Sequence, residues 1–169
     1  MNSLFPIKPK VIKQITMILH ITPTAQRRVR FRNYGKFVGT HKAPEQIAAE
    51  DFIMNYIKPY VPDTPMTGGI ELIMKAVFPV PTSKPQWWAT AAINGTIPHI
   101  KKPDKDNLEK NICDCMETMG FYKNDSQIFK STIRKCYGEK GLWAIRLIEY
   151  QVPQSKKEYL AYMAKHNAQ

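Results

Sequence analysis

Acidic residues are missing from the opening quarter of this chain: none precedes Glu45. Lys8, Lys10, Lys13, Arg27, Arg28, Arg30, Arg32, Lys36 and Lys42 all fall in that stretch, and the formal net charge is +11 over 169 residues. Such an imbalance calls for a polyanionic partner, nucleic acid or an anionic membrane, and is silent about fold. Long apolar runs are also lacking. None approaches the ~20 residues that span a bilayer, and the N-terminus lacks the basic-then-apolar plan of a signal peptide. A cytoplasmic protein with no membrane partner is expected. Cysteine is scarce: Cys113, Cys115 and Cys136 are odd in number and form no Cys-x-x-Cys. That excludes a zinc pattern or a disulfide framework and fits a reducing compartment. There is no internal repeat, no glycine-rich phosphate loop and no low-complexity tail. A hydrophobic content of 43% is that of a globular chain, and residues 1–169 are expected to form one domain.

Alternation of apolar residues predicts a strand over Lys13–Ile21, with Ile15, Met17 and Leu19 on one face. Arg27 to Phe37 mixes basic and aromatic residues. In an extended conformation Arg28, Arg30 and Arg32 share a side, which suits phosphate contact as well as a charged strand edge. Pro44–Ile57 reads as a helix with Ala48, Phe52 and Tyr56 on its apolar stripe. Ile70–Phe78 reads as a central buried strand. Residues 79–103, broken by Pro79, Pro81, Pro85 and Pro98, read as an irregular functional loop. Trp87 and Trp88 within it suit stacking on unpaired bases or wedging a branch point, and at least as well a place in the core or a dimer contact. His99 reads as a bystander. Gln127–Tyr137 and Leu142–Gln151 read as two strands joined by a hairpin turn at Gly138–Gly141, and Ser155–His166 as a closing helix. The expected fold class is α+β, a short mixed sheet with packed helices.

The most informative stretch is residues 101–128. Leu108, Ile112, Cys115 and Met119 recur at helical spacing and make one apolar stripe, and Gly120 marks a stop. Asp106, Lys110 and Glu117 lie on the other side, Asp114 at the flank, Asp104 just before the first turn and Asp125 after the helix. Hard cations such as Mg²⁺ take oxygen ligands, often one or two carboxylates plus water and phosphate. Asp104, Asp106, Asp125 and Lys110 are the parts a phosphodiester-hydrolysing site requires. A plainer account also stands: Asp106 with Glu109 is a capping box, Asp106 with Lys110 an i,i+4 pair, and Asn124-Asp125-Ser126 an ordinary turn.

The run Lys-Pro-Asp-Lys-Asp-Asn-Leu-Glu-Lys-Asn-Ile-Cys-Asp, followed by Asn-Asp-Ser-Gln-Ile, resembles the RusA family of Holliday junction resolvases. The resemblance places that family's metal-binding carboxylates on Asp104, Asp106 and Asp125, its essential lysine on Lys110, and a supporting acid on Asp114. Asn124 stands where the family often has a further acid, and Pro103 where some members have a basic residue, with Lys101 and Lys102 as alternative sources of charge. The resemblance implies a homodimeric, Mg²⁺-dependent (or Mn²⁺-dependent) endonuclease acting on four-way DNA junctions in recombination and repair, of a kind common in phages and prophages. Arg27, Arg28, Arg30, Arg32, Lys101 and Lys102 are the candidate DNA contacts. The alternatives are a non-catalytic basic nucleic-acid-binding module and a nuclease of flaps or forks.

Overall fold

A computed structural model describes residues 9–25, 30–34, 37–41 and 44–166, with residues 30–34 and 37–41 described as backbone. Its framework is a four-stranded mixed sheet in the order β1-β6-β4-β5, made of β1 (Val11–Leu19), β4 (Gly69–Pro79), β5 (Ile128–Gly138) and β6 (Leu142–Tyr150). A separate antiparallel pair joins β2 (Arg30–Tyr34) to β3 (Phe37–His41). The helices are α1 (Pro44–Ile57), α2 (Gln86–Ile93), α3 (Lys105–Thr118) and α4 (Lys156–His166). The expected α+β class and mixed sheet are what the structure has. Among the described residues no helix is long and apolar enough to cross a membrane.

Strand β4 lies between β5, to which it is parallel, and β6, to which it is antiparallel. The expected hairpin between β5 and β6 is therefore wrong. These two strands are consecutive in the chain, yet β4 occupies the slot between them. Its alternate residues Ile70, Leu72, Met74, Ala76 and Phe78 are all buried, and it gains backbone partners on both edges. The short link from β5 to β6 therefore crosses the end of β4 and allows little bulk: a Cβ on Gly141 would strike Thr22.

One face of the sheet carries the core. Met17, Leu19, Ile145, Leu147, Trp143 and Leu72 pack there against Ile53 and Ile57 of α1, Ala92 of α2, and Leu108, Ile112, Cys115 and Met116 of α3. Fully burying one such side chain is worth about 1.5–3 kcal/mol, so this shared core fixes α3 against the sheet. The expected apolar stripe of α1 is on the wrong side. Phe52 and Tyr56 are exposed and pack on each other, ring centroids 5.1 Å apart, while Gln46, Glu50, Ile53 and Ile57 face inward. The polar pair is tolerated because Gln46 Nε2 donates to Glu50 Oε1 (2.7 Å) and to Asn111 Oδ1 (3.4 Å). Asn111 on α3 is fully buried and donates in turn to the Thr24 carbonyl at 2.9 Å.

The segment 79–103 is not irregular throughout, since α2 forms within it. The two tryptophans part company there. Trp88 meets Tyr137 edge-on with centroids 5.2 Å apart, and Lys84 Nζ lies 4.8 Å from its ring centroid. Trp87 is 68% exposed. His99 is buried and stacked on Phe78 at 4.2 Å, a core position in keeping with the bystander reading.

Candidate active site

Helix α3 begins at Lys105 with Asp104 as N-cap residue, in extended backbone and with no side-chain cap bond. The capping box expected from Asp106 and Glu109 is thus absent, because the helix starts earlier than that pattern requires. Asp106 falls in the first turn, where a carboxylate is favoured by the helix dipole. The helix buries Leu108, Asn111, Ile112, Cys115 and Met116, which turns its acidic side away from the core. It stops in a Schellman arrangement. Gly120 has φ +81°, its N–H donates to Glu117 O at 3.0 Å, and Phe121 N–H donates to Met116 O at 3.0 Å. Phe121 is then buried, which locks the exit.

Asp125 comes from a clamped turn. Asn124 caps the 3₁₀ turn Asp125–Gln127 by accepting from Ser126 N–H at 2.9 Å, while Gln127 Oε1 accepts from Lys123 N–H (2.9 Å) and Asn124 N–H (3.2 Å). Gln127 Nε2 donates to the Met66 and Gly68 carbonyls at 3.0 and 3.1 Å, tying the turn to the start of β4. Asn124, where the family often has an acid, therefore has a structural task here. Tyr122 adds a second tie, its hydroxyl donating to Cys113 O on α3 at 2.9 Å.

Between α3, this turn and the start of β5 lies an open cleft of about 500 Å³, lined by Asp106, Asn107, Glu109, Lys110, Cys113, Asp114, Asp125, Ile128 and Ser131. The structure thus brings Asp106, Lys110 and Asp125 together and adds Asp114 and Glu109 beside them. Asp104 is not among the lining residues; it stands exposed at the helix mouth. The acids make themselves felt on their neighbours. Burial pushes the Cys113 thiol up to about 12, with Glu109, Asp114 and Asp125 adding to the rise. Burial also raises Tyr122, helped by Cys113, Glu117 and Asp125. A thiol held protonated is a poor metal ligand. The donors left in the cleft are oxygens, which suit a hard divalent cation. Among the described residues no three His, Cys, Asp or Glu side chains stand close enough together to hold a metal ion.

The helix mouth is held by Lys135, on the helix-facing side of β5. Its Nζ donates to the carbonyls of Lys101 and Pro103 at 2.7 and 2.8 Å. Lys101 and Lys102 themselves are exposed on that turn. Arg30 and Arg32 alternate along β2, and Arg27 and Arg28 lie outside the described residues. Sequence reasoning did not single out Gln127 or Ser131, and from the sequence Lys135 reads, with Lys130 and Arg134, only as positive charge near Asp125. The signal for Ser131 was the period of two in β5, which sends 131, 133 and 135 to one face.

The family profile described as Endodeoxyribonuclease RusA matches residues 20–148, a span that includes every cleft-lining residue. The chain belongs to the RusA endodeoxyribonuclease family. Membership implies a nuclease that resolves Holliday junctions, and RusA-type nucleases bind branched DNA and generally use a divalent metal. A search of curated proteins finds no match.

Proposed function

We propose that this protein is a Mg²⁺-dependent endonuclease that resolves four-way DNA junctions by paired phosphodiester hydrolysis in recombination and repair, working as a homodimer in the cytoplasm. The observation that carries the reading is the cleft that gathers Asp106, Lys110, Asp114 and Asp125 on a chain of this family. In this reading Asp106 and Asp125, with Asp104 at the helix mouth, hold the cation, and Mn²⁺ is accepted in its place. When bound, such a cation neutralises phosphate charge and makes a water acidic enough to attack. Lys110 lies one turn from Asp106 and orients the scissile phosphate, stabilising charge on its oxygens as the bond breaks. Gln127 and Lys135 keep the turn and the helix mouth in place while substrate binds. A two-fold dimer offers two equivalent clefts to the two strands that must be cut. The products carry 5′-phosphate and 3′-hydroxyl ends.

The test is cleavage of a labelled four-way junction, with linear duplex, flap and fork controls, in Mg²⁺ and in EDTA. Asp106→Asn should lower cutting at least about a hundredfold, the scale on which one electrostatic group acts. Junction binding in EDTA should persist, since the amide keeps the shape of the side chain. Paired nicks confined to the junction and to Mg²⁺ support the reading. Equal cutting of flaps and forks replaces it with a broader nuclease. Tight binding with no cutting in Mg²⁺ or Mn²⁺ replaces it with a binding module.

A further inference from the structure

Among the described residues, helices cover one face of the four-stranded sheet and leave the other exposed. The register decides what stands there. Arg146 on β6 pairs with Ile73 on β4, and Lys75 on β4 pairs with both Ala144 on β6 and Arg134 on β5. Lys75 and Arg134 therefore stand side by side and Arg146 two residues along, on three adjacent strands about 4.8 Å apart. All three are exposed and line a shallow groove of about 400 Å³. Glu71, an acid on β4, is already engaged. It makes an ion pair with Lys130 at 2.6 Å and accepts from the Tyr150 hydroxyl at 2.7 Å, and these two contacts hold its carboxyl below the usual range.

We infer that this open face binds the sugar-phosphate backbone of a duplex arm of the branched substrate. The inference rests on the reading of the protein as a junction nuclease. Charge complementarity selects the occupant. A second copy of the chain docked here about a two-fold axis would set Lys75, Arg134 and Arg146 against their own counterparts, with Glu71 already committed. A phosphate backbone meets the same cations with opposite charge and releases counterions. The path to the cleft is short. Strand β5 is the sheet's edge; it sends Ser131 into the cleft and Thr132 and Arg134 to the open face. An arm leaving the cleft over that free edge arrives at Arg134 first.

The test is junction binding in EDTA across a salt series, so that cutting plays no part. The face variant is Lys75→Gln with Arg134→Gln and Arg146→Gln. A control variant removes equal charge elsewhere, by Lys140→Gln, Lys156→Gln and Lys157→Gln. The face variant should bind at least about tenfold more weakly, with a salt slope lower by about one per lost contact. The control should stay within about twofold of wild type. Arg146→Gln alone, a single exposed change, should lower the slope by about one and keeps the test alive if the triple variant melts early. Equal weakening by both triple variants, no weakening by the face variant, or a halved mass in light scattering overturns the inference; the last would make this face an interface between copies. A wild-type protein that binds no junction removes the nuclease reading and this inference together, whereas a binding wild type with an unaffected face variant removes this inference alone.

Discussion

At the scale of single residues, the position of His99 sets a pH response in the stability of the fold. Its ring is buried between Phe78 and Tyr137, at 4.2 and 4.7 Å, and its Nδ1 has no hydrogen-bond partner among the described residues. Burial lowers its pKa from 6.5, and the nearby charges of Lys135 and Lys101 lower it further. The unfolded chain therefore takes up a proton as pH drops through 6.5, while the folded one resists. Stability that is full above that value is lost as pH falls toward and through the folded one. His99→Phe keeps an aromatic ring and cannot titrate. The melting temperature of the variant should fall less than that of wild type between about pH 7.5 and about pH 5, as followed by circular dichroism. An equal fall in both proteins would take His99 out of the pH response.

At the scale of elements, the turn that carries Asp125 depends on one amide. Among the described residues the Gln127 side chain makes four hydrogen bonds, accepting two at its oxygen and donating two from its nitrogen. Gln127→Ala should cost about 1–3 kcal/mol in a urea titration. It should also slow junction cutting although every carboxylate remains, because the turn would no longer be fixed to β4. Full activity with lowered stability would make the clamp purely structural. Gln127 sits inside the motif that marks the family, yet its partners Met66 and Gly68 are about sixty residues away, so its task could not be read locally. Helix α3 was legible because its polar and apolar positions separate at helical spacing. Helix α1 was misread because Phe52 and Tyr56 look like core, while the burial of Gln46 and Glu50 depends on the distant Asn111. Helix α2 was missed because Gln-Trp-Trp-Ala-Thr-Ala-Ala-Ile has no clear amphipathic period and lies among prolines. The strands β5 and β6 were found, but pairing rules for neighbours in sequence do not anticipate a third strand between them. In the site, the spacing of Asp106 and Lys110 was readable. The return of Asp125 to them was set by the Schellman stop and the Tyr122 tie.

At the scale of the whole molecule, charge dominates. A formal net charge of +11 stands beside a candidate cleft rich in acids, and the proposed function divides the work between them: the cations would draw the polyanion in and the acids would hold the metal. Junction affinity in EDTA should fall roughly tenfold or more between about 50 and 200 mM salt, measured by gel shift or anisotropy. Flat affinity would remove phosphate contacts as the basis of binding. The interposed β4 has a further consequence, for synthesis rather than for the finished fold. Among the described residues strand β1 pairs only with β6, Leu19 meeting Trp143 and Val11 meeting Tyr150. A nascent chain therefore emerges with its first strand unpartnered and keeps it so until nearly the last residues of the sheet have left the ribosome. Pairing over such separations is slow and leaves an open edge to other chains meanwhile. Fragments that end before Leu142 can still pair β4 with β5 but have neither a partner for β1 nor a second edge for β4, so the four-stranded sheet closes only once β6 is made.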